Sequence, residues 1–194
     1  MSIKDDLAYL RSISSFIALT TFVFFLTSVM GYWAAGADPD LASQWRAQLD
    51  ALRWILEQPP LIIMIIIFLK NLLASAMAML LGLGLGLIPL LVATSNGFLL
   101  GVVAHGAVQQ SGPLFLAAGI LPHGILELPA VLVSIAIGFR LGYLLALILA
   151  REKADLAGET RIAVRLLWRY ITPILFLAAI IETFITPLAI SVVP

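Results

Sequence analysis

PLIIMIIIFLKNLLASAMAMLLGLGLGLIPLLV, the run Pro60–Val92, is 33 residues long and carries one charge, Lys70. A helix crosses a hydrocarbon core of roughly 30 Å with about 20 residues, whereas a straight helix over this run would extend about 48 Å. It must therefore tilt steeply, protrude or break. Gly82, Gly84 and Gly86, followed by Pro89, mark the break, so the run reads as a span interrupted at that point. A dinucleotide-binding reading of these glycines fails, because Leu87 stands where a third motif glycine belongs and no strand precedes it.

The rest of the chain has the same character. Of its 194 residues, 62% are hydrophobic and 11% charged, against roughly 45–50% and about 25% in a water-soluble domain. This is the composition of an integral membrane protein whose first partner is the lipid bilayer. The formal net charge is zero and no basic cluster is interleaved with aromatics, so nucleic acid is not an expected partner. With no cysteine, there is no disulfide, thiolate nucleophile or Cys-based metal site. No GxSxG elbow is present, and the chain is expected not to be an enzyme and to need no cofactor.

The remaining apolar runs are Ile13–Ala35, Pro122–Ala150 and Leu167–Val192. The first is too long for the core of a cleavable signal and reads as a retained span. Asn96–Val108 is about 20 Å long as a helix and reads as a short fifth span. Gln109–Leu121, with its Ser111-Gly112-Pro113 turn, reads as a re-entrant or interfacial piece. Between Asp38 and Glu57, Leu41, Trp45, Leu49, Leu52 and Leu56 recur at three- and four-residue steps among Arg46, Asp50, Arg53 and Glu57. That is an amphipathic helix lying on the membrane surface or against the bundle.

The expected fold is all-α: one polytopic transmembrane bundle over residues 1–194, of about five spans. The segment Arg151–Arg169 holds Arg151, Lys153, Arg161, Arg165 and Arg169, while Ala37–Pro60 holds two arginines against four acids. The positive-inside bias places the first (151–168) in the cytoplasm with the N-terminus, and the amphipathic segment (36–59) and the C-terminus outside. Gly82/Gly86, Gly97/Gly101 and Gly138/Gly142 each have the GxxxG step that lets helices touch backbone to backbone. Both intramolecular packing and homodimerisation can use it.

Ionisable groups within a bilayer are costly, so those present call for a partner or a function. His123 and Glu127 share a helix face in Pro122-His123-Gly124-Ile125-Leu126-Glu127-Leu128-Pro129. At about 1.5 Å per residue, Glu127 lies about 7 Å and Glu182 about 10 Å from the outer surface, Asn71 about 16 Å from it, and His105 near the middle. Arg140 falls near the cytoplasmic end of its helix, where it can snorkel to headgroups. Three readings of the polar set stand side by side. His123, Glu127 and Glu182 are weak candidates for a divalent metal. They also suit a proton- or ion-coupled pathway, since Pro129 and Pro187 free the carbonyls of Ile125 and Thr183. The plainest reading is that the carboxylates, protonated or hydrogen-bonded to His123, Asn71 and Thr186, hold helices together.

Phe68-Leu69-Lys70-Asn71-Leu72, Ser95-Asn96-Gly97-Phe98-Leu99-Leu100-Gly101, Leu121-Pro122-His123-Gly124-Ile125-Leu126-Glu127-Leu128-Pro129-Ala130 and Ala178-Ala179-Ile180-Ile181-Glu182-Thr183-Phe184-Ile185-Thr186-Pro187 together resemble the stage II sporulation protein M family. The resemblance covers about Pro60 to Pro194. It implies a five-span membrane protein that, in spore formers, anchors a complex with two cell-wall hydrolases during engulfment. Members are also found in cells that never sporulate. The family's polar positions map to Asn71, Asn96, His123, Glu127 and Glu182. The expected role is a membrane scaffold or assembly factor with envelope-protein partners. The alternative is a small transporter or channel using the Glu/His/Asn cluster, and the third reading is an intramembrane metal-dependent enzyme.

Overall fold

The computed structural model describes residues 3–38, 40, 43 and 53–193. Every regular element among them is a helix: α1 (Ile3–Ser12), α2 (Ser14–Ala37), α3 (Arg53–Leu56), α4 (Pro60–Leu80), α5 (Leu87–Leu149), α6 (Leu156–Leu166), α7 (Thr172–Ile180) and α8 (Thr186–Ser191). Most of the amphipathic stretch expected at 38–57 lies outside the described residues. Four helical stretches are long and apolar enough to cross a membrane: Ser14–Ala37, Pro60–Leu83, Leu87–Leu149 and Leu156–Ser191. Phe22, Trp33, Leu61, Ile125 and Leu188 are each at least 64% exposed, the surface expected of helices whose outer faces meet lipid rather than water.

The run Pro60–Val92 is not one interrupted span. Pro59 in an extended conformation and Pro60 at the first helical position open α4, which ends at Leu80. A 3₁₀ turn, Leu81–Leu83, follows, and then Leu85 and Gly86 at positive φ (55° and 79°). Beyond this turn the chain comes back antiparallel, so that Ala78 packs with Ala93 and with Ile135 from further along the chain. The glycines make a hairpin between two spans.

α5 is itself a hairpin. Gly112 has φ 84° and ψ 172°, a conformation open essentially to glycine alone. It divides α5 into arms 87–111 and 113–149, and the two arms lie antiparallel, with Pro89 meeting Gly138, and Ala93 meeting Ile135. Five apolar arms therefore make up the bundle. The segment Gln109–Leu121 is the tip of this hairpin and the first turns of the second arm, which runs on helically through Pro122 and Pro129. The segment expected to be re-entrant or interfacial is thus continuous with both arms. Asn96 does not open a short span either. It lies inside the first arm, exposed, donating its amide to the Val92 carbonyl at 2.8 Å.

The GxxxG glycines are taken up by contacts within the chain. A β-carbon on Gly82 would stand 2.6 Å from the Gly138 Cα, and one on Gly142 would stand 2.9 Å from the carbonyl carbon of Leu85, next to Gly86. Gly97 abuts Phe24 and Thr27, while Gly101 abuts Ser28 and Tyr32, so α2 and the first arm run parallel. The second arm is antiparallel to the last stretch, Gly119 meeting Ile190 and His123 meeting Thr186.

At one end of the bundle, called proximal below, α1 and α6 are tied together. Asp6 accepts from Arg165 (2.8 Å), Arg169 (3.4 Å) and the Tyr170 hydroxyl (3.0 Å). Burial opposes the Asp6 charge, but the Tyr170 hydroxyl and the two guanidiniums outweigh it and hold the carboxyl below its usual range. Glu159 accepts from the Tyr9 hydroxyl (2.9 Å) and from Arg140 Nε (3.3 Å). Arg140 also lies 5.9 Å from the ring centres of Phe16 and Tyr143. The expectation that Arg140 snorkels to lipid is thus corrected: a carboxylate within the protein is its partner. The N-terminal helix and the basic segment therefore share one end of the bundle.

Candidate functional site

Contacts between spans fix the depth of each polar group. α4 covers about 31 Å, close to one hydrocarbon thickness, and its end at Ala78 lies level with Gly138. Arg140 therefore stands at the proximal boundary. Residues near 120 in the second arm and near 189 in the last stretch stand at the distal boundary. From there Glu127 and Glu182 both lie about 10 Å deep.

They meet at that depth. One donor atom from each of His123, Glu127 and Glu182 lies within 4.8 Å of the others, and all three residues are half-buried. His123 and Glu127 come from adjacent turns of the second arm. Glu182 is delivered by a π-helical turn, Ile181–Ile185, between α7 and α8. Pro187 cannot donate to the carbonyl four residues back, and the helix widens so that the Thr186 N–H reaches the Ile181 carbonyl. The same device precedes Pro173, where the Thr172 N–H reaches Leu167 across the π turn Leu167–Ile171. An extra residue per turn re-phases a helix, a distortion common where side chains must be aimed.

The Thr186 hydroxyl donates to the Ile181 carbonyl (3.3 Å) and lies 3.3 Å from His123 Nδ1. With the hydroxyl proton on the carbonyl, Thr186 can accept from an Nδ1–H, and in that tautomer Nε2 is the nitrogen open to a ligand.

Of the other polar residues read from the sequence, Asn71 is half-buried on α4, about 16 Å below the distal surface. His105 is apart from the cluster: it packs edge to face on Tyr32 at 5.1 Å and against Gly36. Its arm begins at Leu87 rather than Asn96, so it stands about 27 Å along it, near the distal end and not at mid-membrane. Lys70 was not singled out as a site residue. It is exposed on α4, about 15 Å deep, against about 10 Å for Glu127. One ammonium in a 21-residue apolar helix was the signal available.

An all-helical bundle of apolar arms with an ionisable cluster below its distal surface defines a polytopic membrane protein. The chain matches the family described as Stage II sporulation protein M over residues 20–187, and it belongs to that family. It is also similar to an uncharacterized protein, MJ0793, of Methanocaldococcus jannaschii, with 39% identity over 94 residues, which are 47% of this chain and 53% of that protein. The match thus spans about half the length of that relative. No solved structure matches the chain.

Proposed function

We propose that the chain is a membrane-embedded assembly component of the cell envelope, of the stage II sporulation protein M kind, which recruits partner proteins at its distal face. The observation that supports it is the asymmetry of the two faces. Arms meet through tight turns at Leu81–Gly86 and Gly112, and the proximal connection is tied to α1 by Asp6, Tyr9 and Glu159. The connection 38–59 starts from the distal end of α2, and its sequence carries Leu41, Trp45, Leu49 and Leu52 at three- and four-residue steps. By the positive-inside bias, the positive charge in 151–169 favours a cytoplasmic proximal face, which puts the distal end of α2 and the C-terminal end of α8 on the extracytoplasmic side in this reading.

The experiment is site-specific photo-cross-linking from Trp45 and Leu49 in intact membranes, beside a variant with Leu41, Trp45 and Leu49 replaced by serine. The reading expects adducts with envelope proteins that the triple variant loses while its melting temperature is unchanged. Adducts with lipid alone, or adducts that survive the substitutions, would overturn it. The meeting of His123, Glu127 and Glu182 supports a second reading, proton or ion movement. That reading expects flux in proteoliposomes which Glu127→Gln and Glu182→Gln abolish in folded protein.

A further inference from the structure

We propose that His123, Glu127 and Glu182 form a binding site for a divalent transition-metal cation of the zinc class, entered from the distal side, and that Lys70 is its built-in competitor. The proposal goes beyond the assembly role and does not depend on it.

The donor set is two carboxylates and one imidazole, from two spans that meet in antiparallel register. An ion at the centre of a triangle with 4.8 Å edges would lie about 2.8 Å from each donor. Zinc takes imidazole nitrogen and carboxylate oxygen at about 2.0–2.2 Å, so each donor must close by about 0.7 Å. Small χ adjustments of two glutamates and a histidine supply that. An imidazole beside carboxylates, with neither thiolate nor thioether, suits zinc and its first-row neighbours better than calcium, magnesium or copper(I). The Thr186 hydroxyl lies 3.3 Å from Nδ1, placed to accept the outer-shell bond that ligating histidines commonly make.

Charge balance points the same way. Two carboxylates this close repel each other, most strongly in a low-dielectric setting, and a divalent cation between them would offset both charges. Lys70 sits on the neighbouring α4, exposed, on a flexible four-carbon stem. At about 15 Å below the distal surface, against about 10 Å for Glu127, its ammonium can approach the cluster, and an ion entering there would compete with it for the same negative charge. The three ligands are half-buried rather than sealed, at about 10 Å from the distal surface.

The test uses the full chain in lipid nanodiscs, stripped with a chelator and titrated with zinc against a fluorescent zinc chelator. X-ray absorption at the zinc edge then reports the donor atoms. One zinc per chain with nitrogen and oxygen donors only is expected. His123→Ala, Glu127→Gln and Glu182→Gln each weaken binding by about tenfold or more. Lys70→Gln strengthens it several-fold, a gain that a packing role for these residues would not produce. Lys70 is exposed, so this variant keeps the fold even where a glutamate variant does not. Substoichiometric zinc, ligand variants that bind like the wild type, or a Lys70→Gln variant that binds no more tightly would each overturn the proposal.

Discussion

Gly138→Ala tests the helix crossings on which the bundle rests. A β-carbon there would stand 2.8 Å from Pro89 Cγ and overlap the Ala78 carbonyl oxygen, where carbon contacts settle at about 3.5–4.0 Å. The second arm must therefore move about 1 Å away from α4 and the first arm. Forced overpacking of this kind costs about 1–3 kcal/mol, and alanine returns up to about 1 kcal/mol through its better helix propensity. The net is a loss of up to about 2 kcal/mol, or up to roughly 8 °C in melting temperature for a chain of this length. Gly106→Ala is the internal control: that glycine is also helical, but its added β-carbon meets nothing within 4 Å, so propensity alone should raise the melting temperature by about 2–4 °C. Tryptophan fluorescence melts of both variants in the same detergent make the comparison. If Gly138→Ala melts at or above Gly106→Ala, the close crossing of the three arms is refuted.

Gly112→Ala should cost about 1–3 kcal/mol although space is open around it, because the penalty is conformational and not steric contact. A melt showing no loss would mean that the hairpin tip takes another backbone shape. Asp6→Asn should lower the melting temperature at neutral pH by uncoupling α1 from Arg165, Arg169 and Tyr170. The Asp6 carboxyl titrates lower when folded than when unfolded. Its stabilisation is therefore complete above about pH 4 and is lost as pH falls through the depressed folded value. Melts of wild type and Asp6→Asn should converge in that acidic range. Parallel pH curves would remove the carboxylate from the linkage.

Composition and run length were enough to establish an all-helical membrane protein. Burial of apolar side chains in lipid depends on how many there are in a row, and a sequence states that directly. The i, i+4 spacing likewise placed His123 and Glu127 on one face, and counting residues from the helix ends set Glu127 and Glu182 at nearly one depth. The breaks at Gly82–Gly86 and at Gly112 were also legible. What happens to the chain after each break was not, because a glycine permits a kink and a reversal equally. The reversal is decided by what packs, here Ala78 against Ala93 and Ile135, and Pro89 against Gly138. Reading the first break as a kink moved the start of the third span from Leu87 to Asn96, and His105 was misplaced in depth as a result. Arg140 and Glu159, or Asp6 and Arg165, meet only because folded spans return α1 and α6 to one end, and no local pattern encodes such a pairing. Lys70 is the same case: its sequence neighbours are largely apolar, and only the packing of α4 beside the second arm sets it on a helix next to the one that carries Glu127. Sequence determined which groups enter the membrane and how deep, since both follow from rise per residue. Tertiary structure alone decided which of them face one another, since that depends on helix direction and phase set by contacts far apart in the chain.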